Sequence, residues 1–213
     1  MNYTQLSQAI QDYCQSTETS FVANIPVFVQ LAEERIYNSV QIPAIRKNVT
    51  GTMSLGNQYM SLPSDWLSTF SFAVIDQATG AYEYLLNKDV NFIRETYPTP
   101  ASTGIPKYYA IWDDTSMILG PTPNANYTAE LHYYYYPASI VTNNTSWLGT
   151  NFETVLLYGS LREAYIYLKG EQDMMNYYEQ KYQESLALLK RLGDGLDRQD
   201  AYRSGQARIP VTS

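Results

Sequence analysis

A chain of 213 residues with 45% hydrophobic and 16% charged residues is long enough to bury a real core, as one domain or as two small ones that share an interface. Its formal net charge of −7 and pI near 4.7 repel phosphates, which counts against nucleic-acid binding. No apolar run approaches the ~20 residues of a membrane span, and the N-terminus lacks the basic and apolar blocks of a signal peptide, so synthesis in the cytoplasm and no membrane partner are expected.

In chain order, Leu6, Ala9, Ile10 and Tyr13 form a short amphipathic pattern after Thr4. Ile25, Phe28, Leu31, Ala32 and Ile36 form a second, with Asn24 and Pro26 marking its start. The period then changes to two: Val49, Gly51, Met53 and Leu55 alternate with polar residues up to Gly56 and Asn57, the pattern of a half-buried strand entering a hairpin. Further strands are expected at 59–62, 70–75, 82–86, 107–112, 117–119 and 127–136, with a short helix at 88–95. Turns fall at 77–80, at Asp113 and Asp114, and at 121–123.

Past Trp147, Thr150 and Glu153 have capping-box spacing, and Leu157, Leu161, Ala164 and Leu168 recur at helical intervals before Gly170. A second long helix is expected over 171–192, with Met175, Tyr178, Tyr182, Leu186 and Leu189 on one face and Gly193 as its stop. Acidic Glu171 and Asp173 at its start and basic Lys190 and Arg191 at its end suit the helix dipole. Short strands without helical crossovers predict an antiparallel sandwich or barrel. The fold class is therefore α+β: a small bundle of two N-terminal and two long C-terminal helices (1–47 and 148–193), a central antiparallel β part (48–147) and an extended tail (194–213).

Catalytic signals are absent from the pattern. Cys14 excludes an internal disulfide, and as a nucleophile it would depend on the single imidazole, His132, with nothing further in support. The two cannot build a zinc site. Glu33 and Glu34 are adjacent, so on a helix they diverge and read as a solvated or interface face; Asp113 and Asp114 read as a hairpin turn. The Asn-x-Ser/Thr triplets at Asn2, Asn48, Asn126, Asn143 and Asn144 have no secretory context. Without a phosphate loop, metal cluster or nucleophile elbow, no enzyme, cofactor or metal is expected.

The 21 tyrosines suit a core, an interface or a stacking platform alike. In the run Tyr133 to Tyr136, alternate residues take opposite strand faces, and Tyr134 and Tyr136 with Arg162 and Tyr165 are the candidate subunit or partner contacts. The last segment is polar, yet Arg198, Arg203 and Arg208 recur at five-residue intervals in an acidic chain, with Tyr202 and Ile209 among them. These five residues are the candidate docking tail.

Several phrases occur in an order that resembles the head-to-tail adaptor, or connector, family of tailed bacteriophages, of the tail tubular protein A type. They are the helical Leu31-Ala32-Glu33-Glu34-Arg35-Ile36, then Leu62-Pro63-Ser64-Asp65-Trp66, Gly104-Ile105-Pro106-Lys107-Tyr108-Tyr109, Leu119-Gly120-Pro121-Thr122-Pro123, the Tyr-Pro strand end with Trp147, and Leu156-Leu157-Tyr158-Gly159-Ser160-Leu161. The resemblance implies a virion protein at the head-tail junction, in a ring of twelve copies between the portal protein and a tail nozzle or tube, with genomic DNA passing through unbound. It also implies that the C-terminal segment reaches the portal. A different reading, a tyrosine-rich carbohydrate-binding β-module of a virion or cell-surface assembly, uses the same aromatics but has no need of long terminal helices.

Overall fold

In the computed structural model, which describes residues 1–76 and 79–197, the chain forms two compact units. One unit comprises Met1–Ile45 and the chain from Tyr136 onward; the other is Arg46–Tyr135. The first elements in chain order are α1 (Tyr3–Cys14), α2 (Thr19–Tyr37), a 3-10 turn (Pro43–Ile45), β1 (Arg46–Met53), β2 (Tyr59–Ser61) and β3 (Ser68–Ile75). Next come β4 (Tyr82–Tyr84), β5 (Leu86–Asn87), α3 (Val90–Thr96), β6 (Thr103–Gly104), β7 (Tyr108–Ile111), β8 (Ser116–Gly120) and β9 (Thr122–Pro123). The last are β10 (Tyr127–Tyr134), α4 (Ile140–Asn143), α5 (Trp147–Asn151), α6 (Glu153–Tyr167) and α7 (Gln172–Asp197).

In the helical unit α6 is the central element, packed against α1, α2, α5 and α7. Close approach is possible because α6 presents small residues: a Cβ added at Gly159 would sit 3.1 Å from the Ala32 Cβ and 3.3 Å from the Tyr182 ring. Buried Val155, Leu156, Leu161 and Ala164 surround this point, with Phe21, Ile25, Ile36, Tyr182 and Leu189 from the neighbouring helices. The start of α1 is fixed by a capping box in which the Asn2 side chain accepts from the Gln5 N–H and the Gln5 side chain accepts from the Asn2 N–H, both at 2.9 Å.

Four helix readings need correction. Helix α2 begins at Thr19, so Asn24 and Pro26 lie inside it; burial of Phe21 and Ile25 extends the helix upstream despite the N–H that Pro26 lacks. Thr150 does not cap α6. Ser146 caps α5 through the Gly149 N–H, Thr150 donates back to the Ser146 carbonyl, and α6 starts at Glu153 after Phe152 without a side-chain cap. Leu157 is half-buried while Leu156 is fully buried, because the Gly159 and Ser160 face turns inward. Gly193 is not a stop: it is buried within α7, where an added Cβ would meet the Gln41 carbonyl oxygen, so glycine is demanded by close packing and the helix runs on to Asp197.

Among the described residues the β unit holds two four-stranded sheets, ordered β1-β10-β3-β4 and β2-β8-β7-β5, and the short pair β6-β9. The first sheet is antiparallel throughout, whereas β5 with β7 and β6 with β9 are parallel. Met53, Phe72, Val74, Ala129, Leu131 and Tyr133 from the first sheet share a core with Tyr109, Met117 and Leu119 from the second, which makes a sandwich and not a closed barrel. The opposite face of the second sheet, through Ala110 and Ile118, packs on Ile93 of α3. Strand β1 does not enter a hairpin with β2. It pairs with β10, with Val49 opposite Leu131, while the chain crosses to the other sheet for β2. A local turn signal carries no information about such a distant partner.

Candidate interaction surfaces

On α2 the two adjacent glutamates part company. Glu33 is only 4% exposed, and its Oε1 accepts the Ile140 N–H at 2.9 Å, which ties the start of α4 to α2. Burial pushes its carboxyl up from the ordinary value, against the hydrogen bonds from Ile140 and Ser139 that favour the charged form. Reading both residues as one wet face is thus corrected for Glu33, whereas Glu34 is exposed. Together with Gln30, Tyr37, Tyr136, Pro137 and Ser139 they line a groove of about 380 Å³. Tyr136 forms part of its wall and donates its hydroxyl to Asn38 Oδ1 at 2.6 Å.

Arg162 is held inside a charge network. Its Nε lies 2.6 Å from Glu179 Oε2 and its Nη1 2.5 Å from Glu163 Oε1. Arg35 grips the same Glu179 with two nitrogens, at 3.0 and 2.7 Å, and lies 4.5 Å over the Tyr182 ring. Gln183 adds a donor at 2.7 Å. Burial disfavours charge on Glu179, but the hydrogen bonds from Arg35 and Gln183 and the two guanidinium charges hold its carboxyl below the usual range. Tyr165 turns toward α7, with its ring 4.9 Å from that of Tyr178. Arg162 also borders a smaller groove of about 210 Å³ with Ile166, Met175 and Asn176.

In the β unit, Tyr134 stands on the outer face of the first sheet, edge-on to Phe70 at 5.8 Å, with the Arg46 guanidinium 4.5 Å over Phe70. Beside it His132 Nε2 lies 2.8 Å from Glu130 Oε1, and the Tyr82 hydroxyl donates to the other Glu130 oxygen at 3.3 Å. The hydrogen bond with His132 is the main cause of a lowered Glu130 carboxyl. Tyr133 points the opposite way into the core and donates to Asp65 at 2.8 Å; Lys47 holds the second Asp65 oxygen at 2.7 Å. Alternation along β10 separates these roles as the strand period requires.

The expected turn at Asp113 is present, its Oδ1 accepting from the Thr115 N–H and from the Thr115 and Ser116 hydroxyls at 2.8 to 2.9 Å. Burial pushes the Cys14 thiol up to about 11, so it is a poor nucleophile. Among the described residues no three histidine, cysteine or acidic side chains gather as metal ligands, and no helix is long and apolar enough to cross a membrane. Arg198, Tyr202, Arg203, Arg208 and Ile209 lie outside the described residues.

The structure thus brings Tyr136 to an acidic groove, Arg162 and Tyr165 to the α6/α7 contact, and Tyr134 to an aromatic sheet face. The role of Glu33 was hidden because its partner, the Ile140 N–H, is 107 residues away in the chain. Over residues 1–210 the chain matches the model of a protein family described as SU10 adaptor protein. A comparison with curated proteins finds no match.

Proposed function

The chain belongs to the SU10 adaptor protein family, a family of phage head-to-tail adaptors, and from that premise we propose that it is the adaptor ring of a tailed-phage head-tail junction. In this reading it acts in the manner of tail tubular protein A: twelve copies form a ring that seats on the portal protein, carries the tail nozzle or tube on its far side and surrounds the DNA exit channel. The match over nearly the whole chain carries this reading. The chemistry of the surfaces supports it, since grooves, exposed aromatics and charge networks suit protein contacts better than turnover.

Within the ring, Tyr134, Tyr136, Arg162 and Tyr165 border the surfaces turned to neighbouring copies or partners. Residues 1–47 and 148–193 serve as a helical assembly part, 48–147 as a β part facing the tail, and 194–213 as the segment that docks on the portal through Arg198, Tyr202, Arg203, Arg208 and Ile209. A net charge of −7 on each copy, multiplied around a bore, discourages DNA from adhering as it passes. DNA is a passenger in this account and not a ligand.

The test is to mix the purified chain with the portal ring of the same phage and measure the mass of the product by sedimentation. A discrete complex with as many adaptor copies as portal subunits, or a whole multiple, is expected. Failure to associate with the portal ring at micromolar concentrations would remove this reading.

A further inference from the structure

The groove on α2 joins acidic and aromatic walls. Helix α2 contributes Glu33 and Glu34, and the chain after β10 contributes Tyr136 and Pro137, with Tyr136 42% exposed. Its walls are held from within: Glu33 accepts the Ile140 N–H, and the Tyr136 hydroxyl donates to Asn38. Charge is not balanced there. Among the described residues no lysine or arginine forms an ion pair with Glu33 or Glu34, although Glu33 is only 4% exposed. Buried carboxylates are ordinarily paired with a cation. Burial pushes the Glu33 carboxyl up, and a guanidinium in the groove would bring it back down.

A source of guanidinium begins in the same unit. Helix α7 ends at Asp197, and the chain goes on through residues 198–213, outside the described ones, with three arginines against one acid, Asp200. The end of α7 lies near the groove. Gly193 is pressed against the Gln41 carbonyl, and Gln41 follows the groove residue Tyr37 at the end of α2 by four residues, at most ~14 Å of chain. Asp197 stands about one helical turn past Gly193, ~6 Å. The groove therefore begins within roughly 25 Å of the end of α7. Arg203, six residues past Asp197, spans ~20 Å in backbone and the remainder in side chain, and is the first arginine whose reach covers that whole distance.

We propose that residues 198–213 turn back on their own helical unit and seat Arg203 in this groove, its guanidinium against the Glu33 and Glu34 carboxylates and stacked on Tyr136. A guanidinium suits both walls, since its parallel N–H groups take two oxygens and its plane lies on an aromatic ring. The occupant belongs to the same copy because a short tether holds it at an effective concentration on the order of millimolar, far above that of a neighbour in solution. The groove is formed without the segment, so the fold does not depend on it. What the seat governs is availability: the Arg203 that docks on the portal in the ring reading is covered until portal surface competes for it. The seat stands apart from that reading, and only the competition rests on it.

The experiment uses the full chain with Cys14→Ser, Gln30→Cys on the exposed rim of the groove and Ser204→Cys beside Arg203, treated with a short bismaleimide linker at submicromolar concentration. A link within one chain, found by mass spectrometry in protein that runs as a monomer, is the expected result. Glu34 is exposed, so Glu34→Arg is expected to leave circular dichroism unchanged and to cut the yield at least fivefold. Adding Arg203→Glu to that variant is expected to restore at least half of the yield. Links only between chains, or a yield that neither charge change alters, overturn the seat. Added portal ring is expected to lower the yield at least fivefold in the chains it binds, and an undiminished yield in bound chains overturns the competition. Failure to bind the portal at all overturns the ring reading and the competition with it, and not the seat.

Discussion

Replacing Glu179 with alanine removes one carboxylate from among donors on three helices: Arg35 on α2, Arg162 on α6 and Gln183 on α7. Hydrogen bonds to charged groups contribute about 1.5–3 kcal/mol when well enclosed, and exposed ion pairs only about 0–1. Side-chain exposures of 33%, 31% and 32% for Arg35, Arg162 and Glu179 place this node between those limits, so a loss of about 2–3 kcal/mol is expected. At roughly 2–4 °C per kcal/mol for a chain of this size, the melting temperature falls by about 4–12 °C. A double-mutant cycle of Arg35→Ala and Glu179→Ala, read by urea denaturation, should give a coupling of about 1–2 kcal/mol, since the two-pronged geometry is lost whichever partner is removed. A coupling below about 0.3 kcal/mol would refute the idea that this node joins the helices and would reduce it to a surface ion pair.

The other expectations concern burial and protonation. Leu161→Ala should cost about 2–5 kcal/mol and half-buried Leu157→Ala less than half as much, measured as urea midpoints; equal losses would contradict the placement of the α6 face. Because burial raises the folded-state value of Glu33, its contribution is whole below the ordinary glutamate value and fades as pH rises through the raised one, so wild type should lose stability relative to Glu33→Gln as pH rises above the ordinary glutamate value. A difference independent of pH would show that folding leaves the Glu33 carboxyl at its ordinary value. Asp65, held below its usual range first by Lys47 and then by Tyr133, has the opposite sign: its contribution is present above the ordinary aspartate value and is lost in acid, so Asp65→Asn should flatten the acid limb of the stability curve. A chain ending at Asp197, the last residue of α7, should melt like the full chain yet fail to pull down portal rings; undiminished capture would move the docking surface elsewhere.

Regular periodicity made much of the fold legible. Tyr178, Tyr182, Leu186 and Leu189 mark the buried face of α7, and alternation along 127–134 marks which tyrosines enter the sandwich, because each pattern is local and repeats. What stayed hidden depends on contacts between residues far apart. Gly193 reads as a helix stop until Gln41 is seen against it, and Pro26 reads as a helix start until Phe21, five residues upstream in α2, is found buried. Pairing of β1 with β10 joins residues about 80 apart, for which no short-range signal exists. The candidate surfaces divide in the same way: aromatic placement followed from strand parity, but the burial of Glu33 and the gathering of two arginines on Glu179 required three helices to be brought together.

The central claim is that this chain is the ring between portal and tail. Its most direct test is electron cryomicroscopy of the head-tail junction of the phage that encodes it, at a resolution that traces side chains. The account predicts twelve copies directly below the portal, with DNA unbound in the bore. Density for this chain that lies away from the portal, or its absence from the junction, would contradict it.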